Sequence, residues 1–171
     1  MELWDLYTEN FVKTSYTHVR GEELPDDLYH LVCHVWIRNS KNQWLVSQRA
    51  SWRSSLPLKW ECVGGSILSG ESGLEGAIRE VKEEVGIDLS EDMLKPVFMQ
   101  VRKIVNGLKF NDILQVWVVD YDGDVDLKNA TTNEVEQVLW LSYDEIHNLY
   151  ESGEFVFSLD YFFDVFNIDK M

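Results

Sequence analysis

Short apolar runs separated by turn residues predict that most of the regular structure of this chain is β-strand. Residues 30–38 read His-Leu-Val-Cys-His-Val-Trp-Ile-Arg, a nearly continuous apolar run that is typical of a strand buried on both faces. A turn over 39–42 and a returning strand over 43–49 follow it. The same pattern predicts two short strands within 1–24, a hairpin of 97–105 and 110–121 around Asn106-Gly107, and a strand over 134–141.

Helical periodicity is clearest from Gly73 to Val85. Apolar residues recur there at steps of three and four and form one stripe facing a core, namely Leu74, Ala77, Ile78, Val81 and Val85. Gly86 follows directly, as expected of a glycine that ends a helix. Two closing helices are predicted over 143–152 and 159–168, with Ser142 and Ser158 as their N-caps.

The polar side of the 73–85 helix carries an unusual concentration of acid. Glu80, Glu83 and Glu84 are neighbours at helical spacing, and each like-charged pair costs roughly 0.2–0.5 kcal/mol even when it is exposed to water. A bound divalent cation would relieve this repulsion. An all-oxygen ligand set suits Mg²⁺ or Mn²⁺, whereas zinc sites usually contain Cys or His. Taken alone, the acidic run is more typical of a solvated helix face than of a metal site.

A longer pattern gives the acidic helix a specific meaning. Gly65 is followed after five residues by Glu71, and after seven more by Arg79-Glu80-Val81-Lys82-Glu83-Glu84-Val85-Gly86-Ile87. This spacing resembles the signature of the Nudix hydrolases at every defining position. The flanking stretches 29–36, 45–49 and 57–61 are similar to the branch of the superfamily that contains isopentenyl-diphosphate isomerase.

The resemblance implies an α/β/α sandwich in which a mixed sheet is flanked by helices and the signature forms a loop–helix–loop. It also implies Mg²⁺-dependent hydrolysis of a diphosphate linked to another group. In this chain Glu80 and Glu84 would hold the metal, and Glu83 would be a further ligand or would activate water. Arg79 would orient a carboxylate, Glu71 would support the arginine or the hydrated metal, and a backbone carbonyl near Gly65 would add a ligand.

The same resemblance leaves two other functions open. The isomerases carry a Cys-Gly-His stretch before a degenerate signature, but this chain has Gly64-Gly65-Ser66 and an intact signature, which favours hydrolysis. A nucleotide-sensing module without turnover is the third possibility. The complete set of one arginine and three glutamates argues against it, because a binding module has no need to position an attacking water.

Candidates outside the signature have weaker support from the sequence. Arg49, Arg53 and Lys59 are placed to bind phosphate oxygens, and Trp52 and Phe110 to stack a base. The resemblance implies one more metal-binding glutamate from outside the signature, for which Glu134 is the first choice and Asp112 a weaker one. An ordinary exposed carboxylate on a strand explains Glu134 equally well. His30 matches a metal-binding histidine of the isomerase pattern, but a structural role is expected because its partners are missing.

Length and charge bound the remaining possibilities. The 171 residues predict a single domain over 1–171, with the strands of about 1–24 as an extension. The net charge of −15 argues against a nucleic-acid polymer or an anionic membrane as partner. Free nucleotides remain possible because Mg²⁺ can mediate their binding, and the resemblance implies a small-molecule diphosphate as the substrate. We expect a cytoplasmic location, because the chain has only two cysteines, no long apolar run and no signal-peptide pattern. A homodimer is plausible through the aromatic-rich ends, Trp4 and Tyr7 or 155–166, although core packing explains these residues equally well.

Overall fold

The computed structural model describes residues 1–167, and within them the chain forms nine strands and three α-helices. The strands are β1 Leu3–Tyr7, β2 Lys13–Val19, β3 His30–Arg38, β4 Trp44–Arg49, β5 Trp60–Glu61, β6 Val63–Ser66, β7 Lys95–Val105, β8 Leu108–Asp120 and β9 Val135–Leu141. The helices are α1 Gly73–Val85, α2 Tyr143–Glu151 and α3 Tyr161–Val165. Short 3₁₀ turns cover Glu91–Met93, Leu127–Asn129 and Phe157–Leu159.

The chain divides into two compact units, each assembled from separated stretches of sequence. The first contains Met1–Val35, Gly64–Val81 and Asp88–Val119, and the second contains Trp36–Val63, Lys82–Ile87 and the residues from Asp120 onward. The strand β3 and the helix α1 run through both. A single domain over 1–171 stays a prediction, because compactness alone does not measure independent folding.

The first unit is built on antiparallel pairs. β1 pairs with β2, and β7 pairs with β8, which in turn lies beside β3. Asn106 and Gly107 connect β7 to β8 with φ values of 48° and 80°. Two positive φ angles are what a tight two-residue hairpin requires, so the Asn-Gly signal predicted this turn correctly.

The second unit packs its aromatic residues into its own core. β4 pairs with both β5 and β9. The ring of Trp36 lies 4.3 Å from that of Phe162, and its indole N–H donates to the hydroxyl of Tyr161 at 2.9 Å. Phe155, Phe162 and Phe166 are buried. The aromatic C-terminal stretch is therefore packed inside this unit, and Trp4 is likewise buried within the first. These buried residues are not available to form the interface of a homodimer. The homodimer itself remains a prediction.

Helix α1 has the predicted bounds, and both ends have a local cause. Ser72 and Glu75 form a reciprocal cap: the Ser72 hydroxyl accepts from the Glu75 amide at 3.2 Å, and the Glu75 carboxylate accepts from the Ser72 amide at 2.7 Å. Gly86 ends the helix with φ 74°, a conformation that favours glycine. Ala77, Val81 and Val85 of the predicted stripe are fully buried.

The prediction for the last helix was wrong in its start and its cap. Ser158 lies in the 3₁₀ turn Phe157–Leu159 and is buried, and the helix α3 begins only at Tyr161. Asp160 is the capping residue, because its carboxylate accepts from the Tyr161 amide at 3.0 Å. The predicted end at residue 168 lies outside the described residues. For α2, by contrast, Ser142 forms the predicted cap together with Glu145. None of the helices within 1–167 has the length and hydropathy needed to cross a bilayer.

Candidate active site

Arg79 is the centre of a compact ionic cluster in the first unit. Its Nε donates to Glu71 Oε1 at 2.8 Å and its Nη2 to Glu71 Oε2 at 3.0 Å. Its Nη1 donates to Glu80 Oε1 at 2.8 Å, and Nη2 also donates to the Ser66 carbonyl at 3.0 Å. One guanidinium thus joins the loop before α1, the strand β6 and the middle of the helix, and it holds two carboxylates in fixed orientations.

The charges of this cluster stabilise one another. Burial tends to raise the pKa of Glu71, but hydrogen bonds from Arg79 and from the Leu68 amide outweigh it and leave this pKa below its ordinary value. Burial tends to lower the pKa of Arg79, but the two glutamates raise it far above its usual value. The arginine is therefore a permanent cation, and Glu71 stays ionised at neutral pH.

Gly65 in β6 lies directly against Glu80. A Cβ atom at this position would come within 2.5 Å of the Cδ atom of the Glu80 carboxyl group. That is far closer than carbon atoms approach without displacement, so the carboxylate and an alanine at position 65 cannot both keep their places. Position 65 requires glycine because the Glu80 carboxylate occupies the space that a Cβ atom would fill.

Asp5 fixes the loop of the signature from outside it, and the sequence analysis missed this residue. Its carboxylate accepts from the Ser69 hydroxyl at 2.8 Å, from the Gly70 amide at 2.8 Å and from Lys13 Nζ at 2.6 Å. Burial tends to raise its pKa, and these hydrogen bonds together lower it below the ordinary value. A lone Asp in β1, 64 residues from its partner, gives no sequence signal of this role.

The last turn of α1 belongs to the second unit and is held by a different segment. The backbone carbonyl of Glu83 accepts from the amides of Thr131 and Thr132, both at 3.1 Å, and from the Thr132 hydroxyl at 3.0 Å. Glu84 is only 4% exposed. A carboxylate so well buried is retained at a cost unless a cation or hydrogen bonds compensate it.

These residues fit a hard divalent cation. Glu80 and Glu84 are buried carboxylates four positions apart on one helix, and the absent side chain of Gly65 makes room for the Glu80 carboxylate itself. In the part of the chain that the structure describes, no three His, Cys, Asp or Glu side chains converge as a ready metal cluster. The coordination of a cation by Glu80, Glu83 and Glu84 therefore stays a prediction.

Arg49, a candidate phosphate ligand, is engaged within the second unit. Its Nη1 donates to both oxygens of Glu61 at 2.8 and 3.0 Å, and its Nε and Nη2 donate to the Ser55 carbonyl at 3.1 and 2.9 Å. Burial raises the pKa of Glu61 even though Arg49 opposes this shift. In this state the arginine fixes the loop over 50–58, and its contact with a phosphate stays a prediction. No sequence signal marked Glu61.

The other candidate substrate contacts lie near the same loop. Lys59 Nζ donates to the Gly153 carbonyl at 2.5 Å. Glu134 forms an ion pair with Arg53 and accepts the Ala50 amide through its backbone carbonyl at 2.8 Å. Trp52 is 59% exposed, and its indole N–H donates to the Asn133 carbonyl at 3.2 Å. Of these, Trp52 presents the largest open surface.

The weaker candidates from the sequence have structural roles in the first unit. His30 stacks on Trp4 with ring centroids 4.0 Å apart, and burial lowers its pKa to about 4. Asp112 forms two hydrogen bonds of 2.7 Å with the buried guanidinium of Arg102. That same guanidinium lies 4.9 Å from the centroid of the Phe110 ring and covers one of its two faces. The stacking of a base on Phe110 stays a prediction.

Comparison of the sequence with known proteins finds a Nudix family model, full-length and partial Nudix hydrolase relatives, and a partial match to an isomerase. The family model of the NUDIX domain matches residues 28–160. An uncharacterised Nudix hydrolase of Listeria innocua is 37% identical over 171 residues, covering 95% of this chain and 91% of that protein. Nudix hydrolase 3 of Arabidopsis thaliana is 32% identical over 86% of this chain but only 20% of the plant protein. An isopentenyl-diphosphate Delta-isomerase of Escherichia coli is 32% identical over 54% of this chain and 52% of that enzyme.

Solved structures agree on the fold. A crystal structure of a protein from Deinococcus radiodurans matches with a TM-score of 0.71 at 20% identity, over 91% of this chain and 92% of that one. The MutT protein of Methanosarcina mazei matches with a TM-score of 0.55 at 26% identity, over 70% of this chain and 81% of that one. The mixed α/β architecture expected from the signature is thereby confirmed.

Proposed function

The chain belongs to the Nudix family and is a Nudix-type hydrolase, and we propose that it hydrolyses the diphosphate linkage of a nucleoside diphosphate derivative or a related organic diphosphate with Mg²⁺ as its cofactor. The observation that carries this proposal is Arg79 bridging Glu71 and Glu80 beside Gly65. A helix that only displayed acid to solvent would not need a half-buried arginine to orient one glutamate and a missing side chain to make room for it.

Each residue of the signature has a defined task in this proposal. Glu80 and Glu84 hold the ion, since both are buried and lie on one face of α1. Mg²⁺, when bound, supplies positive charge against the non-bridging oxygens of the diphosphate and acidifies water. Glu83 accepts the proton of the attacking water. As the oxygen of that water bonds to phosphorus, the bridging P–O bond breaks and the leaving phosphate departs.

Arg79 acts through other residues in this scheme. Its guanidinium is occupied by Glu71, Glu80 and the Ser66 carbonyl, so it is a positioning residue for the Glu80 carboxylate. Glu71 completes the fork and keeps the arginine in place. The chain is therefore expected to lose catalysis when the geometry of this pair changes, even if the charges are kept.

Isomerisation is the competing chemistry, and its products separate it from hydrolysis. The similarity to isopentenyl-diphosphate isomerase covers about half of the chain, and Ser66 stands where the isomerase pattern has histidine. Isomerisation would release no phosphate. A binding module would release none either, and it would also leave the substrate unchanged.

The test is a product assay with Mg²⁺ over nucleoside di- and triphosphates, dinucleoside polyphosphates, nucleotide sugars and isopentenyl diphosphate. Glu84→Gln is the matched variant, and Glu151→Gln, an exposed glutamate on α2, is its control. Release of phosphate or a nucleotide that is lost in Glu84→Gln and kept in Glu151→Gln is the expected result. Turnover that survives Glu84→Gln, or isomerised isopentenyl diphosphate, would overturn the proposal.

A further inference from the structure

Arg102 in β7 is a buried cation that presents one nitrogen atom beyond its ion pair. Its Nε and Nη2 atoms donate to the two oxygens of Asp112 at 2.7 Å, and its side chain is only 7% exposed. Its Nη1 atom carries two further N–H groups, and it is buried without an acceptor among residues 1–167. A buried donor without an acceptor is costly, so a fold keeps one where a ligand, an ion or a water accepts from it.

The backbone beside Arg102 departs from regular strand pairing. The register of β7 with β8 shifts between Arg102 and Ile104. On β8, Asn111 has a φ of 49° although it is only 1% exposed. The Oδ1 atom of Asn111 is also buried, and no described residue donates to it. Bulges and strained backbone of this kind re-aim side chains and are concentrated at ligand-binding sites.

Two aromatic rings of the same compact unit add further nitrogen atoms of this kind. Trp4 and His30 stack with their ring centroids 4.0 Å apart, and each is at most 8% exposed. The Nε1 atom of Trp4 and the Nδ1 atom of His30 are buried and have no hydrogen-bond partner in the part of the chain that the structure describes. The indole N–H can only donate, so it requires an acceptor atom and not a cation.

Positive charge surrounds His30, although the whole chain has a net charge of −15. Burial is the largest cause that lowers the pKa of His30 to about 4, and the charges of Arg102, His18 and Arg20 act in the same direction. The imidazole therefore lies within electrostatic reach of the Arg102 guanidinium. Buried N–H donors in a positive surrounding favour an anionic oxygen over a cation or an apolar group.

The segment over 25–27 lies across the β7–β8 hairpin beside these residues. Two ion pairs of 2.8 Å hold it there, Lys103 with Asp27 and Lys109 with Asp26. The Asn111 side-chain amide also donates to the Pro25 carbonyl at 3.5 Å. The four charged side chains are 45–81% exposed, so both pairs are weak and are screened by salt. The segment can therefore lift from the hairpin while the buried pair of Arg102 and Asp112 keeps its place.

We propose that Arg102 Nη1 binds a small oxyanion, and that the segment over 25–27 opens to admit it. The chemistry of this site differs from that of the carboxylates on α1, since it supplies N–H donors directly and requires no metal ion. Inorganic phosphate shares this chemistry with a phosphate or carboxylate group of an organic molecule. Three probes separate these sources, namely inorganic phosphate, phenyl phosphate and acetate.

The test measures how fast phenylglyoxal, a reagent for accessible guanidinium groups, modifies each arginine, with peptide mass spectrometry as the readout. Metal-free protein at constant ionic strength is used, because the acidic face of α1 then repels anions. A probe that occupies Nη1 should slow the modification of Arg102 by about eleven-fold at ten times its dissociation constant, as simple competition requires. Arg20, an arginine of the same unit with a half-exposed side chain, should react at an unchanged rate.

A pair of double variants tests the opening of the segment. Asp26→Asn/Asp27→Asn removes both ion pairs and should raise the rate of modification at Arg102 by about two- to fivefold. Glu22→Gln/Glu23→Gln is the control, since it removes two charges from the same loop and leaves both pairs intact. An equal rate in the two double variants would refute the opening.

Each probe has a distinct meaning for the ligand. Protection by inorganic phosphate supports a free oxyanion, protection by phenyl phosphate alone supports a phosphate on an organic molecule, and protection by acetate alone supports a carboxylate. If no probe slows the reaction of Arg102, the proposal is wrong and Nη1 pairs with an ordered water only. Equal slowing of Arg102 and Arg20 would also refute it, as a general effect of anions. None of these outcomes requires turnover, so the result is independent of the proposed hydrolase function.

Discussion

Arg79 and Glu71 form a parallel pair of hydrogen bonds, from Nε to Oε1 at 2.8 Å and from Nη2 to Oε2 at 3.0 Å, while the third nitrogen of the same guanidinium reaches Glu80. A single planar group thus sets the positions of two carboxylates. A lysine ammonium has the same charge but cannot offer this fork. The geometry of the pair, more than its charge, is what the proposed catalysis requires.

The substitution Arg79→Lys should lower kcat/KM by about 10–100-fold, the usual cost of removing a group that orients a metal ligand. Its effect should appear in kcat and in the Mg²⁺ concentration that gives half-maximal activity. Steady-state kinetics across a Mg²⁺ titration measures both. Arg20→Lys is the control, because Arg20 and Glu2 form a pair in which both side chains are about half exposed. Equal activity of Arg79→Lys and wild type would contradict the orienting role.

Gly65→Ala should remove activity while leaving the fold intact. The added methyl group would come within 2.5 Å of the Glu80 carboxyl carbon, so this side chain must leave the position in which Arg79 holds it. Ser66→Ala is the matched control, since it keeps the backbone carbonyl that accepts from Arg79. Activity and thermal unfolding are measured on both variants. Full activity in Gly65→Ala would show that the position of Glu80 does not matter.

Asp5→Ala should loosen the loop before α1. It removes the shared acceptor of the Ser69 hydroxyl, the Gly70 amide and Lys13, and these donors can turn to water once the loop loosens. Urea unfolding should show a loss of about 1–3 kcal/mol in the free energy of unfolding. Lys13→Ala is the comparison, and it should cost less than Asp5→Ala because Lys13 is exposed and its charge is screened by solvent. Equal losses in the two variants would assign the effect to the ion pair alone.

His30 should make the protein less stable as the pH falls below neutral. Burial, assisted by the charge of Arg102, lowers its pKa to about 4 in the folded chain, against 6.5 as its ordinary value. The unfolded chain therefore takes up a proton between these values and the folded chain does not. The free energy of unfolding should fall by about 2 kcal/mol from this residue between pH 7.5 and pH 5, at 1.36 kcal/mol per pKa unit.

The contribution of His30 can be isolated by difference. His34 has its pKa lowered by burial as well, so the total loss of stability should exceed the share of one histidine. His30→Asn should reduce the pH dependence of the urea-unfolding free energy by about 2 kcal/mol between pH 7.5 and pH 5. An unaltered pH dependence in His30→Asn would show that this imidazole is not kept neutral by the fold.

The elements that depend on local sequence were predictable. The strand over 30–38 and the helix Gly73–Val85 have the predicted bounds, because apolar periodicity and the terminal Gly86 are local properties. The start of α3 was misplaced because Ser158 and Asp160 both suit a helix cap. The 3₁₀ turn at Phe157–Leu159 buries the serine and leaves the aspartate at the boundary.

The site was predictable only where its residues are close in the sequence. The signature named Glu71, Arg79 and Glu80, and the structure brings these three into contact, while their catalytic roles stay predictions. Asp5 and Glu61 were missed because each acquires its importance from a partner brought near by the fold. The pairing of Arg49 with Glu61 likewise connects two residues that no periodicity relates.

The loop over 50–58 is closed at its neck by the hydrogen bonds between Arg49 and its neighbours Leu58 and Lys59. Its backbone can therefore change in length or composition while the strands on either side keep their pairing. The helix α1, which carries the proposed catalytic residues, is a separate stretch of the chain. Insertions or deletions in this loop should therefore be tolerated without a change in the pairing of β4 or in the bounds of α1.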